Sequence, residues 1–171
     1  MKVLDIIRAR RSVRKFRPDP IPEDALGRAL EAARLAPSAK NFQPWKFILV
    51  RDPDTRRRLA QASAGQSFMA AAPVIIVACG FPGDSYTRMG RYMNSWPVDV
   101  TIAFEHLVLQ AQEDGLGTCW IGAFEEEEVK AVLGVPTEVK VLALTPLGYP
   151  AEAPAARGRK GLEEIVSYDR W

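Results

Sequence analysis

Histidine and cysteine are scarce in this chain. Its 171 residues include one histidine, His106, and two cysteines, Cys79 and Cys119. Each cysteine sits in an apolar segment with no second Cys or His at ligand spacing. That argues against a zinc site and leaves buried, reduced thiols as the reading. No apolar run is long enough to span a bilayer, and nothing resembles a secretory signal, so a cytoplasmic protein without membrane attachment is expected. No internal repeat and no second domain is read in the sequence. With 47% hydrophobic and 26% charged residues, the chain reads as one globular domain over residues 1–171.

Charge is also nearly balanced, at net +2, but it is unevenly spread. Residues 1–17 hold Lys2, Arg8, Arg10, Arg11, Arg14, Lys15 and Arg17 against Asp5 alone, a local excess of +6 that leaves −4 for the rest. A transit peptide is basic and amphipathic, but it would not run straight into folded elements. A nucleic-acid arm would want a wider basic face, and the remainder is acidic, so no nucleic-acid partner is expected. A phosphate site needs only a few cations and a hydroxyl, which Arg10-Arg11-Ser12-Val13-Arg14 supplies. The third reading fits best.

What the chain has in abundance is punctuation around one stretch, Ala36-Pro37-Ser38-Ala39-Lys40-Asn41-Phe42-Gln43-Pro44-Trp45. A helix runs into it (Pro22 to Leu35, apolar at Leu26, Ala29, Leu30 and Ala33) and a strand runs out (Phe47 to Val50). Pro37 and Pro44 stiffen the loop and disfavour helix at the residues before them. Ser38, Asn41 and Gln43 are neutral hydrogen-bonding groups suited to the polar edge of a planar ligand. The alternative is that the two amides only satisfy loop backbone.

Before this stretch, Val3, Leu4, Ile7 and Arg8 share one face of a short helix ending near Ser12. After it, a basic helix from Thr55 to Ala62 is expected, with Arg56 facing solvent. Val74 to Cys79 is a continuous β-branched run, hence a strand covered on both faces. Residues 81–97 lack periodicity and mix Tyr86, Met89, Tyr92 and Trp96 with Arg88 and Arg91. They read as a partly mobile lid, or as a loop packed on the domain or on a partner. Val98 to Glu113 is a helix with one stripe at Val100, Ala103, Phe104, Leu107, Val108 and Ala111, while Ile102 and Leu109 lie off it. A helix apolar beyond one stripe has two faces to bury, and a second subunit is the plausible cover. Phe104 and Leu107 are placed at or beside that interface, and His106 is read as structural. Gly115 and Gly117 end the helix, Thr118 to Ile121 forms a short strand, and Gly122-Ala123 turns out of it. The last strand runs from Lys140 to Leu147.

Four segments together are identified with a known family. They are Arg10 to Arg14; Ala36-Pro37-Ser38 with Asn41 and Gln43-Pro44-Trp45; Gly115-Leu116-Gly117-Thr118-Cys119-Trp120-Ile121-Gly122; and Leu147-Gly148-Tyr149-Pro150 followed by Arg157 to Lys160. In this order they resemble the FMN-dependent nitroreductase family. The resemblance implies an α+β fold, with a mixed, largely antiparallel sheet between helix layers, and an intertwined homodimer whose two FMN sites are each built by both chains. It implies that Arg10, Arg11, Ser12 and Arg14 take the flavin phosphate and ribityl chain, and that Arg157 and Arg159 close on the phosphate. Pro37, Ser38 and Asn41 would face the flavin ring, and the backbone at Gly122 and Ala123 would meet flavin N5 and O4. Tyr86, Arg88 and Tyr92 would form the lid over a small-molecule acceptor. The implied activity moves hydride from NADH or NADPH through flavin N5 to a quinone or nitroaromatic acceptor by a ping-pong route, with no metal and no catalytic side chain. Relatives on this scaffold dehalogenate iodotyrosine or fragment flavin, and a flavin sensor or store without turnover is a further alternative. The segment between Cys79 and Val98 is shorter than in members that insert helices there.

Overall fold

The computed structural model describes residues 2–171. Seven helices and four strands are assigned among them: α1 (Val3–Ala9), α2 (Glu23–Arg34), β1 (Trp45–Val50), α3 (Pro53–Ala62), α4 (Phe68–Ala71), β2 (Val74–Gly80), α5 (Trp96–Glu113), β3 (Gly117–Thr118), α6 (Glu126–Leu133), β4 (Lys140–Gly148) and α7 (Leu162–Ile165). Single 3-10 turns occupy Ala39–Asn41 and Pro82–Asp84.

The sheet order is β1-β2-β4-β3. All three strand pairings are antiparallel, and a parallel bridge from Ser12 to Thr118 makes the sheet mixed. Every residue of β2 is buried. Because successive side chains of a strand point to opposite faces, this uninterrupted apolar run feeds two cores. Val74, Ile76 and Ala78 join Leu26, Ala29, Phe104, Leu107 and Leu147 on the side of α2 and α5. Ile75, Val77 and Cys79 join Leu59, Met69, Val129 and Leu144 on the side of α3 and α6. The sheet therefore lies between helix layers, as the family resemblance implied.

The α5 stripe appears as expected, with Val100, Ala103, Phe104, Leu107, Val108 and Ala111 all buried. Phe104 and Leu107, however, are fully buried inside the protomer at 0% exposure, so they belong to its own core and not to a surface offered to a second subunit. Ile102, His106 and Leu109 remain partly open on the other side of the helix. Arg56 departs from its expected place in solvent. Its Nη1 donates to the carbonyl of Ala70 at 2.7 Å and also to that of Ala72, tying α3 to the end of α4. Helix α1 stops at Ala9, three residues before Ser12, because Ser12 is drawn into its bridge with Thr118. The strand expected over Thr118 to Ile121 is interrupted: Ile121 pairs with Leu144 as an isolated bridge.

Residues 86–95 are more ordered than the missing periodicity suggested. Ser95 N–H donates to the Tyr86 carbonyl at 2.8 Å, and Met89 and Met93 exchange backbone bonds at 3.1 and 3.2 Å. The result is a two-rung hairpin whose tip turns through left-handed backbone at Gly90 and Arg91 (φ 57° and 64°). No helix among the described residues is long and apolar enough to cross a membrane, and no group of three or more His, Cys, Asp or Glu could hold a metal.

Candidate active site

The basic segment at residues 10–17 is held between two neighbours. On one side Val13 N–H donates to the Thr118 carbonyl at 2.8 Å; on the other, Arg17 N–H donates to the Tyr149 carbonyl at 2.9 Å and Ala151 N–H to the Lys15 carbonyl at 2.8 Å. Arg14 N–H adds a bond to Glu152 Oε1 at 2.6 Å. Val13 and Phe16 are the buried anchors of the segment, packed with Ala72. Gly117 allows the close approach: a methyl group there would lie 2.9 Å from Val13 Cγ2.

With its apolar residues turned inward, the segment presents cations to a cavity of about 360 Å³. Arg10, Arg11, Ser12 and Arg14 form one wall with Ile7 and Arg8, and Arg157 and Arg159 come in from the far end of the chain with Pro154 to Ala156. Six guanidinium groups and one hydroxyl thus surround one space. None of the six arginines forms a carboxylate ion pair among the described residues. Side-chain hydrogen bonds among them go to local carbonyls: Arg11 Nη1 to Arg8 and Arg10, and Arg159 Nη1 to Arg157 and Gly158. Glu105 of α5 is half-buried; burial raises its carboxyl above the usual range, opposed by Arg10 and His106. A donor set of this kind fits a phosphate monoester with a hydroxylated chain, since arginine matches phosphate oxygens in geometry and charge.

The remaining site residues expected from sequence do not line this cavity. Gly122 and Ala123 form an exposed turn after Ile121. Gln66 Nε2 donates to the Ala123 carbonyl at 3.3 Å, and Glu125 N–H donates to the Ala62 carbonyl at 2.8 Å, so the end of α3 fixes the turn. Trp120 stands next to it with its ring edge-on to Phe104, centroids 4.6 Å apart. Pro37, Ser38 and Asn41 lie in the loop before β1. There Ser38 Oγ accepts Gln43 N–H at 2.9 Å, and Gln43 Nε2 donates to the Asn41 carbonyl at 3.1 Å. The alternative weighed for this loop therefore holds for Gln43, whose side chain serves backbone, while Asn41 is exposed. Lys40, Asn41 and Gln43 all adopt left-handed backbone (φ 50°, 59° and 52°). Three such non-glycine residues in four positions is strain of a kind that clusters at ligand-contacting loops. The loop touches the hairpin, for Lys40 Nζ sits 5.1 Å from the Tyr86 ring centroid. Arg88 and Tyr92 are exposed on that hairpin.

Sequence reasoning missed Arg8, Gln66 and Asp99. Arg8 carried a visible signal, since it lies in the last turn of α1, three positions before Arg11. Gln66 and Asp99 had none, because the partners that give them a place near the site, Ala123 and Ala39, are distant in sequence.

A mixed, mainly antiparallel sheet between helix layers, with an arginine-lined cleft where residues 7–14 meet residues 154–159, gives the chain a pocket whose donors match the oxygens of an anionic ligand. The sequence profile of the Nitroreductase family matches residues 7–149, and the chain belongs to that family of oxidoreductases. An NADH dehydrogenase of Thermus thermophilus is 36% identical over 186 aligned positions, covering 92% of this chain and 91% of the relative. Among solved structures, a nitroreductase family protein from Clostridium novyi superposes with a TM-score of 0.84 at 36% identity, covering 100% of this chain and 95% of that one. An FMN-dependent nitroreductase from Clostridium difficile gives 0.84 at 28% identity, covering 98% and 99%.

Proposed function

We propose that this chain is an FMN-dependent oxidoreductase that takes hydride equivalents from NADH or NADPH and passes them to a quinone or nitroaromatic acceptor. The observation that carries this reading is the convergence of Arg10, Arg11, Ser12 and Arg14 with Arg157 and Arg159 on one cavity. Bound FMN supplies the atom that receives and returns the hydride. Arg10, Arg11, Arg14, Arg157 and Arg159 hold its phosphate, and Ser12 reaches the ribityl chain. Backbone at Gly122 and Ala123 orients the ring, braced by Gln66. Pro37, Ser38 and Asn41 close on the ring's polar edge, and Tyr86, Arg88 and Tyr92 cover the acceptor.

The ring-facing loop lies off the arginine cavity of its own protomer, which supports a homodimer in which a second copy supplies it. Exposed apolar groups support the same assembly. Val3, Leu4 and Ile7 on α1 are 69%, 53% and 49% exposed, and the tail shows Leu162 and Ile165 at 73% and 63%. Surfaces of this kind seek a partner.

The test is to load the purified protein with FMN and add NADH or NADPH without oxygen. Rapid bleaching of the flavin band, with reoxidation by a quinone, supports the reductase. A protein that binds FMN yet stays yellow is a flavin sensor or store. Release of iodide from iodotyrosine, with no quinone turnover, makes it a dehalogenase.

A further inference from the structure

Asp99, in the first turn of α5, is 3% exposed. Its Oδ1 accepts the Ala39 N–H at 3.0 Å, and its Oδ2 accepts the Ser95 hydroxyl at 2.6 Å. Ala39 begins the 3-10 turn of the loop carrying Ser38 and Asn41. Ser95 closes the hairpin: its backbone N–H bonds the Tyr86 carbonyl, and its Oγ accepts Tyr86 N–H at 3.1 Å. One buried carboxylate therefore holds both segments. Burial of a carboxylate is tolerated when donors replace water, and the helix N-terminus favours its charge. The left-handed backbone at Lys40 and Asn41 directly follows Ala39, so the strained part of the loop hangs on this bond. Lys40 over the Tyr86 ring is a second, exposed tie between the same segments.

We propose that Asp99 is a positioning residue that couples the hairpin lid to the ring-facing loop, so that lid position and loop seating change together. This rests on the reading that the Pro37 to Asn41 loop faces the flavin. Neither segment touches Asp99 through a side chain assigned to the ring or the acceptor; it acts through Ala39 and Ser95. A shift of the lid is transmitted to the ring edge through two hydrogen bonds to one rigid group.

Trypsin offers a direct readout, because Arg88 and Arg91 on the lid and Lys40 in the loop are exposed, while Arg58 on α3 reports general opening. The experiment compares the full-length wild type with Ser95→Ala, Asp99→Ala and Asp99→Asn, with and without FMN. Ser95→Ala removes only the lid arm. Loss of a hydrogen bond to a charged group should raise cleavage after Arg88 and Arg91 roughly tenfold. Coupling requires cleavage after Lys40 to rise as well, with Arg58 unchanged. In the same variant the acceptor KM should rise several-fold as the lid loosens, and FMN affinity should fall roughly three- to tenfold as the ring-facing loop loses its seat. An asparagine can accept from Ala39 and donate to Ser95, so Asp99→Asn should restore both cleavage rates to within about threefold of wild type. Lid loosening in Ser95→Ala with Lys40 unaffected overturns the coupling, even if Asp99→Ala fails to fold. Linked cleavage at Lys40 and Arg88 with unchanged FMN affinity supports the coupling and refutes the assignment of the loop to the ring.

Discussion

Val13 and Thr118 are joined by a backbone hydrogen bond of 2.8 Å, and this pairing sets the basic segment against the strand that leads to Gly122. The phosphate-binding and ring-orienting parts of the proposed site thus share one piece of backbone.

Substitution at Gly117 should strain that pairing. An added methyl would meet Val13 Cγ2 at 2.9 Å and Cβ at 3.0 Å. Overpacking of this kind costs about 1–3 kcal/mol. Gly117→Ala is expected to lower the midpoint of thermal unfolding and to weaken FMN binding, measured by flavin fluorescence titration. Unchanged affinity would show that the segment tolerates the displacement.

Arg159→Ala removes one cation from the cavity, and a lost charge-assisted contact should weaken FMN binding roughly tenfold or more. Exposed Arg58 is the matched control, and Arg58→Ala should retain flavin like wild type. Equal retention in both variants refutes the phosphate assignment. Arg56→Ala behaves differently, because it strands carbonyls of Ala70 and Ala72. It should cost about 1–3 kcal/mol of stability in denaturant unfolding, with FMN affinity intact in the folded fraction.

Burial pushes the Cys79 thiol up to about 11 from an ordinary value of 9.0. A raised folded-state value means stability that is fully present below about pH 9 and falls away as pH rises toward 11. The loss is on the order of 2–3 kcal/mol. Denaturant midpoints measured from pH 8 to 11 should fall less steeply for Cys79→Ala than for wild type. At pH 8 a thiol reagent should label native Cys79 only slowly, since the reactive thiolate is scarce; fast labelling would contradict its burial.

His106 lies on the partly open side of α5 and does not line the arginine cavity. His106→Gln is expected to keep most turnover in the FMN-loaded enzyme, with no essential titration between about pH 6 and 8, since the proton can come from water. Steady-state kinetics with NADH and a quinone should give parallel double-reciprocal lines. Intersecting lines, or a collapse of turnover in the folded yellow variant, would relocate the chemistry.

Much of the fold follows from short-range pattern. The apolar run of β2 and the i, i+3, i+4 stripe of α5 are legible because strand and helix periods repeat within a few residues. The loop prolines and the glycines around Thr118 mark their turns for the same reason. The two arginine groups were visible as composition, but only the family resemblance implied their meeting: Arg10 and Arg159 become neighbours of one cavity when residues 12–17 pair with both Thr118 and Tyr149.

Other placements were decided by packing alone. Arg56 reads as a solvent-facing cation on a basic helix, until α4 brings two carbonyls within its reach. Leu107 satisfies either a core or an interface pattern, and only the sheet beneath α5 assigns it to the core. Asp99 looks like any acid in a first helical turn; its proposed role as a link depends on Ala39, sixty residues earlier, reaching the oxygen that Ser95 leaves free. Sequence by itself determined the elements, the order of the binding segments and the kind of chemistry they suit. Tertiary structure decided which side chains share a site, because hydrogen bonds between segments far apart in the chain leave no local signal in its residues.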